Sequence, residues 1–362
     1  MKKLGIALIL GVLLAAWLAA VIKGWVVPGK AAAREQVTIG FVLSTMQEER
    51  YEKDHAAFLE KAKELGARVE FASAKNDGQI QIQKVEDILT QGVDVMVIQP
   101  VNSDTAKNLV ALCHAKGAPV VAYDRIIKYC DLDLYVTQDS YQVGVLQAEA
   151  AAKATGGRGR YAILKGTMGH SVAEEITRGN QDVLKKYPGI TIVFEQNHPN
   201  WAPNEALEST ENLLTRENNR IDAILCNNSG MARGVIQALR KVKLDGKVFV
   251  AGSDADLDNC RFVLQGIQSV EVLKAIKPLA DAAAGAAFRL AKGETAEKIA
   301  ESFAGKAGTA AKPADCHFNN GQVDVPTINT TVQLVTKDNL EDVIIASGFH
   351  PREKFAGLPE AK

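Results

Sequence analysis

From Val37 onward, short continuous apolar runs alternate with stretches in which apolar residues recur every three or four positions, and most of those stretches end at Gly. This is the pattern of strand and helix units built on a parallel sheet. Thr38 to Leu43 predicts the first strand. A helix over 51–65 follows, with Phe58, Ala62 and Leu65 on one face and Gly66 as its stop. The unit repeats: a strand at Val69 and Phe71 with a helix over 81–91, a strand over 93–98 with a helix over 106–116, and a strand over 119–123. A second series places helices over 142–154, 172–186, 204–214, 231–241, 257–264 and 278–290. Its strands fall over 161–164, 191–195, 221–226, 247–251 and 269–273. So many parallel strands exceed one compact core, and two sheets are predicted. The stretch 293–322 has no clear period and reads mainly as loop, before a last strand over 332–335 and a last helix over 340–347.

Composition narrows the class. The 362 residues are 47% hydrophobic and 23% charged, as in a globular protein of about two domains. With 42 Lys+Arg against 43 Asp+Glu, no electrostatic footprint calls for nucleic acid or an acidic membrane surface. Lys2 and Lys3, the uncharged run Leu4 to Ile22 and the small residues Ala31 to Ala33 predict an export signal over 1–33, cut after Ala33. A retained signal would instead tether the protein as a membrane-bound sensor. Export permits disulfides, but Cys113, Cys130, Cys226, Cys260 and Cys316 are an odd set without short spacings. Cys226 closes an apolar run and reads as core, while Cys130 or Cys316 could bridge if distances allow.

Metal, cofactor and enzyme signatures are weak. Cys113-His114 and Cys316-His317 are adjacent residues, which is not zinc-ligand spacing. No P-loop, nucleophile elbow or HExxH motif occurs, and Gly156-Gly157-Arg158-Gly159 precedes a strand instead of opening a helix. His170 and His198 lie in candidate cleft loops without an oriented nucleophile. No metal, cofactor or catalytic residue is expected.

The loops leaving strand C-termini face one crevice in such a fold, and they carry an unusual polar set. The first half supplies Ser44, Glu49, Arg50, Tyr51, Asp124 and Arg125; the second supplies Lys165 to Ser171, Trp201, Asn227, Asn228, Asp254 and Lys274. A neutral polyol needs such a mixture, because each hydroxyl both donates and accepts while the apolar sugar face lies on an aromatic ring. Plainer structural readings stand beside this one: Asp124-Arg125 as a surface ion pair, Trp201 as a loop anchor, Asp254 as a helix cap and Lys274 as a solvated lysine.

At these loops the sequence resembles the periplasmic sugar-binding proteins of ABC transporters with the type I fold. The matching stretches include Glu49-Arg50-Tyr51-Glu52-Lys53-Asp54, Ala122-Tyr123-Asp124-Arg125, Asp139 with Val143-Gly144, Trp201 with Pro203, Asp254-Ala255-Asp256-Leu257 and Gly348-Phe349-His350. The resemblance implies two doubly wound α/β lobes joined by a three-segment hinge. It divides the chain into a first lobe of 34–138 and 274–322 and a second of 139–273 and 323–362. It also implies sugar contacts from Arg50, Asp124, Arg125, Asn228, Asp254 and Lys274, stacking by Trp201 and Tyr51, and further ligand-binding positions at Asp139 and Ser171. The implied partners are a monosaccharide, xylose or a related aldose, and an inner-membrane ABC permease. The implied protein is a periplasmic monomer, not an enzyme.

Overall fold

The computed structural model describes residues 36–306, 308–309 and 316–358. The export signal read over 1–33 lies outside the described residues. The first half runs β1 (Thr38–Leu43), α1 (Glu49–Glu64), β2 (Arg68–Ser73), α2 (Gly78–Thr90), β3 (Val95–Ile98), α3 (Lys107–His114), β4 (Val120–Tyr123) and β5 (Leu134–Gln138). The second half runs α4 (Ser140–Thr155), β6 (Arg158–Lys165), α5 (Ser171–Leu184), β7 (Gly189–Asn197), α6 (Pro203–Arg216), β8 (Ala223–Cys226), α7 (Ser229–Lys241), β9 (Phe249–Ala251), α8 (Leu257–Gln265) and β10 (Glu271–Lys274). The chain then forms α9 (Ile276–Ala291), α10 (Ala296–Phe303), β11 (His317–Asn319), β12 (Asp324–Thr330) and β13 (Val332–Val335), and a π-helical segment, Glu341–Ala346.

Seven strands build the first sheet in the order β11-β12-β5-β4-β3-β1-β2, and four build the second in the order β7-β6-β8-β9. Pairing is parallel throughout the second sheet and everywhere in the first except at its β11 edge. Every residue of β1, β3 and β4 is buried, which explains their unbroken apolar runs: helices cover both faces of the sheet. Each lobe has its own core, one around Val42, Ile98, Val110 and Val120, the other around Val143, Leu164, Ile176 and Val235.

Several elements differ from the sequence reading. β5 and β12 complete the first sheet by pairing Thr327 with Tyr135 and Thr330 with Gln138, although neither segment shows a strand period. The stretch read as loop contains α10 and β11. Two pairs are antiparallel, β11 with β12 and β10 with β13, and Val270 bridges to Ala251 so that β10 continues the second sheet. The chain passes between sheets after β5, after β10 and again between β12 and β13. Because β12 pairs with β5, this third passage falls after Thr330, not at 322/323. Cys113, Cys130, Cys226 and Cys260 are buried free thiols, so core packing is the outcome for Cys130 as well as Cys226.

Candidate functional site

The loop after β4 and the N-terminus of α1 face the loops after β6, β7, β8 and β9 and the end of β10, and together they line a polar cavity. Glu48, Arg50, Tyr51, Asp124 and Arg125 line it from the first lobe; Val172, Trp201, Asn227, Asn228, Asp254 and Lys274 line it from the other side. The lobes touch beside it. Ser103 N–H donates to the Gly169 carbonyl at 3.0 Å, Ile126 N–H donates to Ser171 Oγ at 3.2 Å, and Lys128 pairs with Glu174 at 2.8 Å.

One buried ion network organises the cavity. Arg50 pairs with Asp54 through Nε at 3.2 Å, with Asp254 through Nη1 at 3.3 Å and with Asp124 through Nη2 at 3.5 Å. Lys274 Nζ stands 3.6 Å from Asp254 and 3.8 Å from Asp124. Arg125 donates to Ser44 Oγ at 3.1 Å, the Pro100 carbonyl at 3.2 Å and the Tyr51 hydroxyl at 3.0 Å. Gln99 donates to Asp124 Oδ2 at 2.8 Å, and the Tyr123 hydroxyl donates to Asp54. Burial works to protonate Asp124, but Arg50, Lys274 and Arg125 hold its carboxyl well below the usual carboxylate range. Burial keeps the Tyr51 phenol protonated. Asp124 and Asp254 hold this geometry with φ of 62° and 97°, a region that non-glycine residues enter mainly where surrounding contacts enforce it.

Three cations, Arg50, Arg125 and Lys274, thus meet three lining carboxyls, Glu48, Asp124 and Asp254. Of the seven buried side-chain atoms found without a hydrogen-bond partner among the described residues, four belong to cavity residues: Glu48 Oε2, Asp124 Oδ1, Arg125 Nε and Asn227 Nδ2. Two accept and two donate. Buried polar atoms are rarely left unpaired, and a balanced set converging on one space suits a neutral molecule rich in hydroxyls.

Eight of the ten residues singled out from the sequence line this space: Arg50, Tyr51, Asp124, Arg125, Trp201, Asn228, Asp254 and Lys274. The plainer readings of Asp124-Arg125 and Lys274 fail, since all three are at most 3% exposed. Trp201 is packed so closely on Gly166 that a Cβ there would overlap its ring, and its Nε1 donates to His170 Nδ1 at 2.8 Å. Burial, with the Arg125 charge next, pushes the His170 imidazole down to about 2, so it is neutral. Asn228 Oδ1 caps α7 by accepting from Met231 N–H at 2.8 Å, leaving its Nδ2 for other contacts.

Two residues do not join the cavity. Asp139 accepts from Gln142 N–H as the N-cap of α4, and Ser171 is used in the contact between lobes, where Oγ accepts from Ile126 and the backbone N–H meets Ser103 Oγ at 3.3 Å. Glu48 and Val172 line the cavity without having been named among the polar loop residues, and Asn227, which was among them, was not singled out as a contact. Glu48 stands at the N-cap position of α1 without capping it, and burial raises its carboxyl above the usual range. In sequence it is one more acidic residue opening a helix. Asn227 lies in the same loop as Asn228, and only the orphaned Nδ2 distinguishes it. Among the described residues no cluster of three His, Cys, Asp or Glu could hold a metal.

Residues 39–295 match a family model described as a periplasmic binding protein domain. The chain belongs to the periplasmic binding protein family. It is 36% identical over 328 residues to the D-xylose-binding periplasmic protein of Escherichia coli, covering 90% of this chain and 94% of that one. Among solved structures it is similar to a carbohydrate transporter solute-binding protein from Chloroflexus aurantiacus in complex with D-glucose, with a TM-score of 0.78, 26% identity and coverage of 90% and 100%. A solute-binding protein from Bacillus halodurans with bound myo-inositol matches with a TM-score of 0.71, 26% identity and coverage of 85% and 96%. The two-lobed α/β architecture is the type I fold. Like its relatives, the chain is a binding protein and not an enzyme. No helix among the described residues is long and apolar enough to cross a membrane.

Proposed function

We propose that this protein works outside the cytoplasm, captures one monosaccharide, xylose or a related aldose, between its lobes, and delivers it as a monomer to an ABC permease. The observation that carries this reading is the cavity lined by three cations and three carboxyls, whose four buried polar atoms without a hydrogen-bond partner are split between donors and acceptors. An anionic substrate would call for excess cations, and a hydrocarbon would leave those atoms unsatisfied. Relatives with printed ligands of xylose, glucose and myo-inositol support the same class. In this reading Arg50, Arg125, Lys274 and Asn228 donate to sugar oxygens, Asp124, Asp254 and Glu48 accept from hydroxyls, and Trp201 with Tyr51 covers the apolar face. The lobes divide at 138/139, 274/275 and 330/331, and those three strands act as the hinge. A permease then distinguishes loaded from empty protein by the closed arrangement.

A melting-temperature scan against pentoses, hexoses and polyols tests it. A true ligand at about a hundred times its Kd stabilises the folded form by about 2.7 kcal/mol and raises the transition. No shift with any of them would overturn the sugar reading.

A further inference from the structure

His170 belongs to the second lobe but sits on the seam. Its ring is buried, its Nδ1 accepts from Trp201 Nε1 at 2.8 Å, and the Val101 backbone of the first lobe accepts from it. The preceding Gly169, at φ of 80°, lies so close to the Asn102 amide of the first lobe that a Cβ there would overlap it. The charged groups facing the ring are Arg125 and Asp124, both from the first lobe. Closure therefore covers the imidazole, and the ring must remain neutral, because an imidazolium has no acceptor for the Trp201 N–H and would face the Arg125 guanidinium.

We propose that His170 is a positioning residue that holds the Trp201 indole in the cavity wall only while neutral, and so makes ligand capture weaken in acid. When the lobes separate, Arg125 and Val101 withdraw and the ring regains access to solvent, where an imidazole takes up a proton near pH 6.5. Closing on a ligand must then expel that proton, and the cost grows as pH falls. This rests on the sugar reading above.

Calorimetry of the full chain with D-xylose and with D-glucose at pH 7.5 and pH 5.0 tests it, using whichever sugar binds more tightly. The expected result is a Kd about ten-fold or more higher at pH 5.0. In His170→Asn, whose Oδ1 can accept from Trp201 but does not titrate, the affinity changes by less than about two-fold over the same range. His170→Phe, which has no acceptor, binds weakly at both values. A parental Kd that is flat with pH overturns the proposal. So does a parental slope that persists in His170→Asn, which would place the titration at another group. A second readout does not depend on sugar: with Trp17→Phe and Trp25→Phe, Trp201 is the only indole. Its fluorescence titrates between pH 7.5 and 4.5 and loses that titration with His170→Asn; no titration overturns the proposal. If neither sugar binds while the fluorescence titrates, xylose and glucose are excluded as ligands and the coupling of His170 to Trp201 stands.

Discussion

Asp124 is the carboxylate on which cavity charge converges, with Arg50, Lys274 and Arg125 all favouring its ionised form against the cost of burial. Its folded pKa is lowered, so it contributes stability above the ordinary carboxylate value of about 4 and that contribution is lost as pH falls toward the folded value. Asp124→Asn leaves two buried cations short of neutralising charge. It is expected to cost about 3 kcal/mol in urea unfolding at pH 7, with the gap to the parent narrowing below about pH 4. A gap independent of pH would mean that Asp124 acts through hydrogen bonds alone. The residue types of this network were legible in sequence because they stand at strand ends. Their burial was not, since Asp124-Arg125 reads equally well as a surface pair until a second lobe covers it. The same limit explains Asp139 and Ser171, which carry suitable chemistry but are used in a helix cap and a contact between lobes.

Helix pairs show how elements are placed. α4 crosses α5 with backbone nearly against backbone: a Cβ on Gly144 would overlap the Ile176 carbonyl and crowd Asn180 N, and one on Gly179 would overlap the Tyr141 carbonyl. Gly144→Val should force the helices apart and destabilise the fold by about 2 kcal/mol in urea unfolding, without altering the charged cavity residues. An unchanged midpoint would show that the pair relaxes freely. Apart from α10, which lies in the stretch read as loop, the helices were legible to within a few residues because their apolar period reports the face they bury. β12 was not, because Asp324-Val325-Pro326-Thr327 lacks alternation and contains a proline that argues against a strand. Its partner β5 lies far back in the chain, and only pairing with that segment makes it a strand.

At the scale of the whole molecule, the cavity exists because two independently cored lobes meet. Ser103 with Gly169, Ile126 with Ser171 and Lys128 with Glu174 mark the closed arrangement beside the cavity. Exposed pairs such as Lys128–Glu174 contribute little by themselves, so a ligand bridging both lobes must supply most of the bias toward closure. Small-angle scattering should therefore show a smaller radius of gyration when a stabilising sugar is added; an identical radius would mean that the lobes do not open in its absence. The amino-acid pattern alone determined the repeating strand and helix units, the need for two sheets and the neutral polar chemistry at the strand ends, because those follow from local period and residue type. Tertiary structure decided where the third crossover falls, which of the polar residues share one space, that Glu48 and Asn227 belong there, and that the neutral His170 is buried beside it against Trp201. These depend on contacts between segments far apart in the chain, which no local pattern encodes.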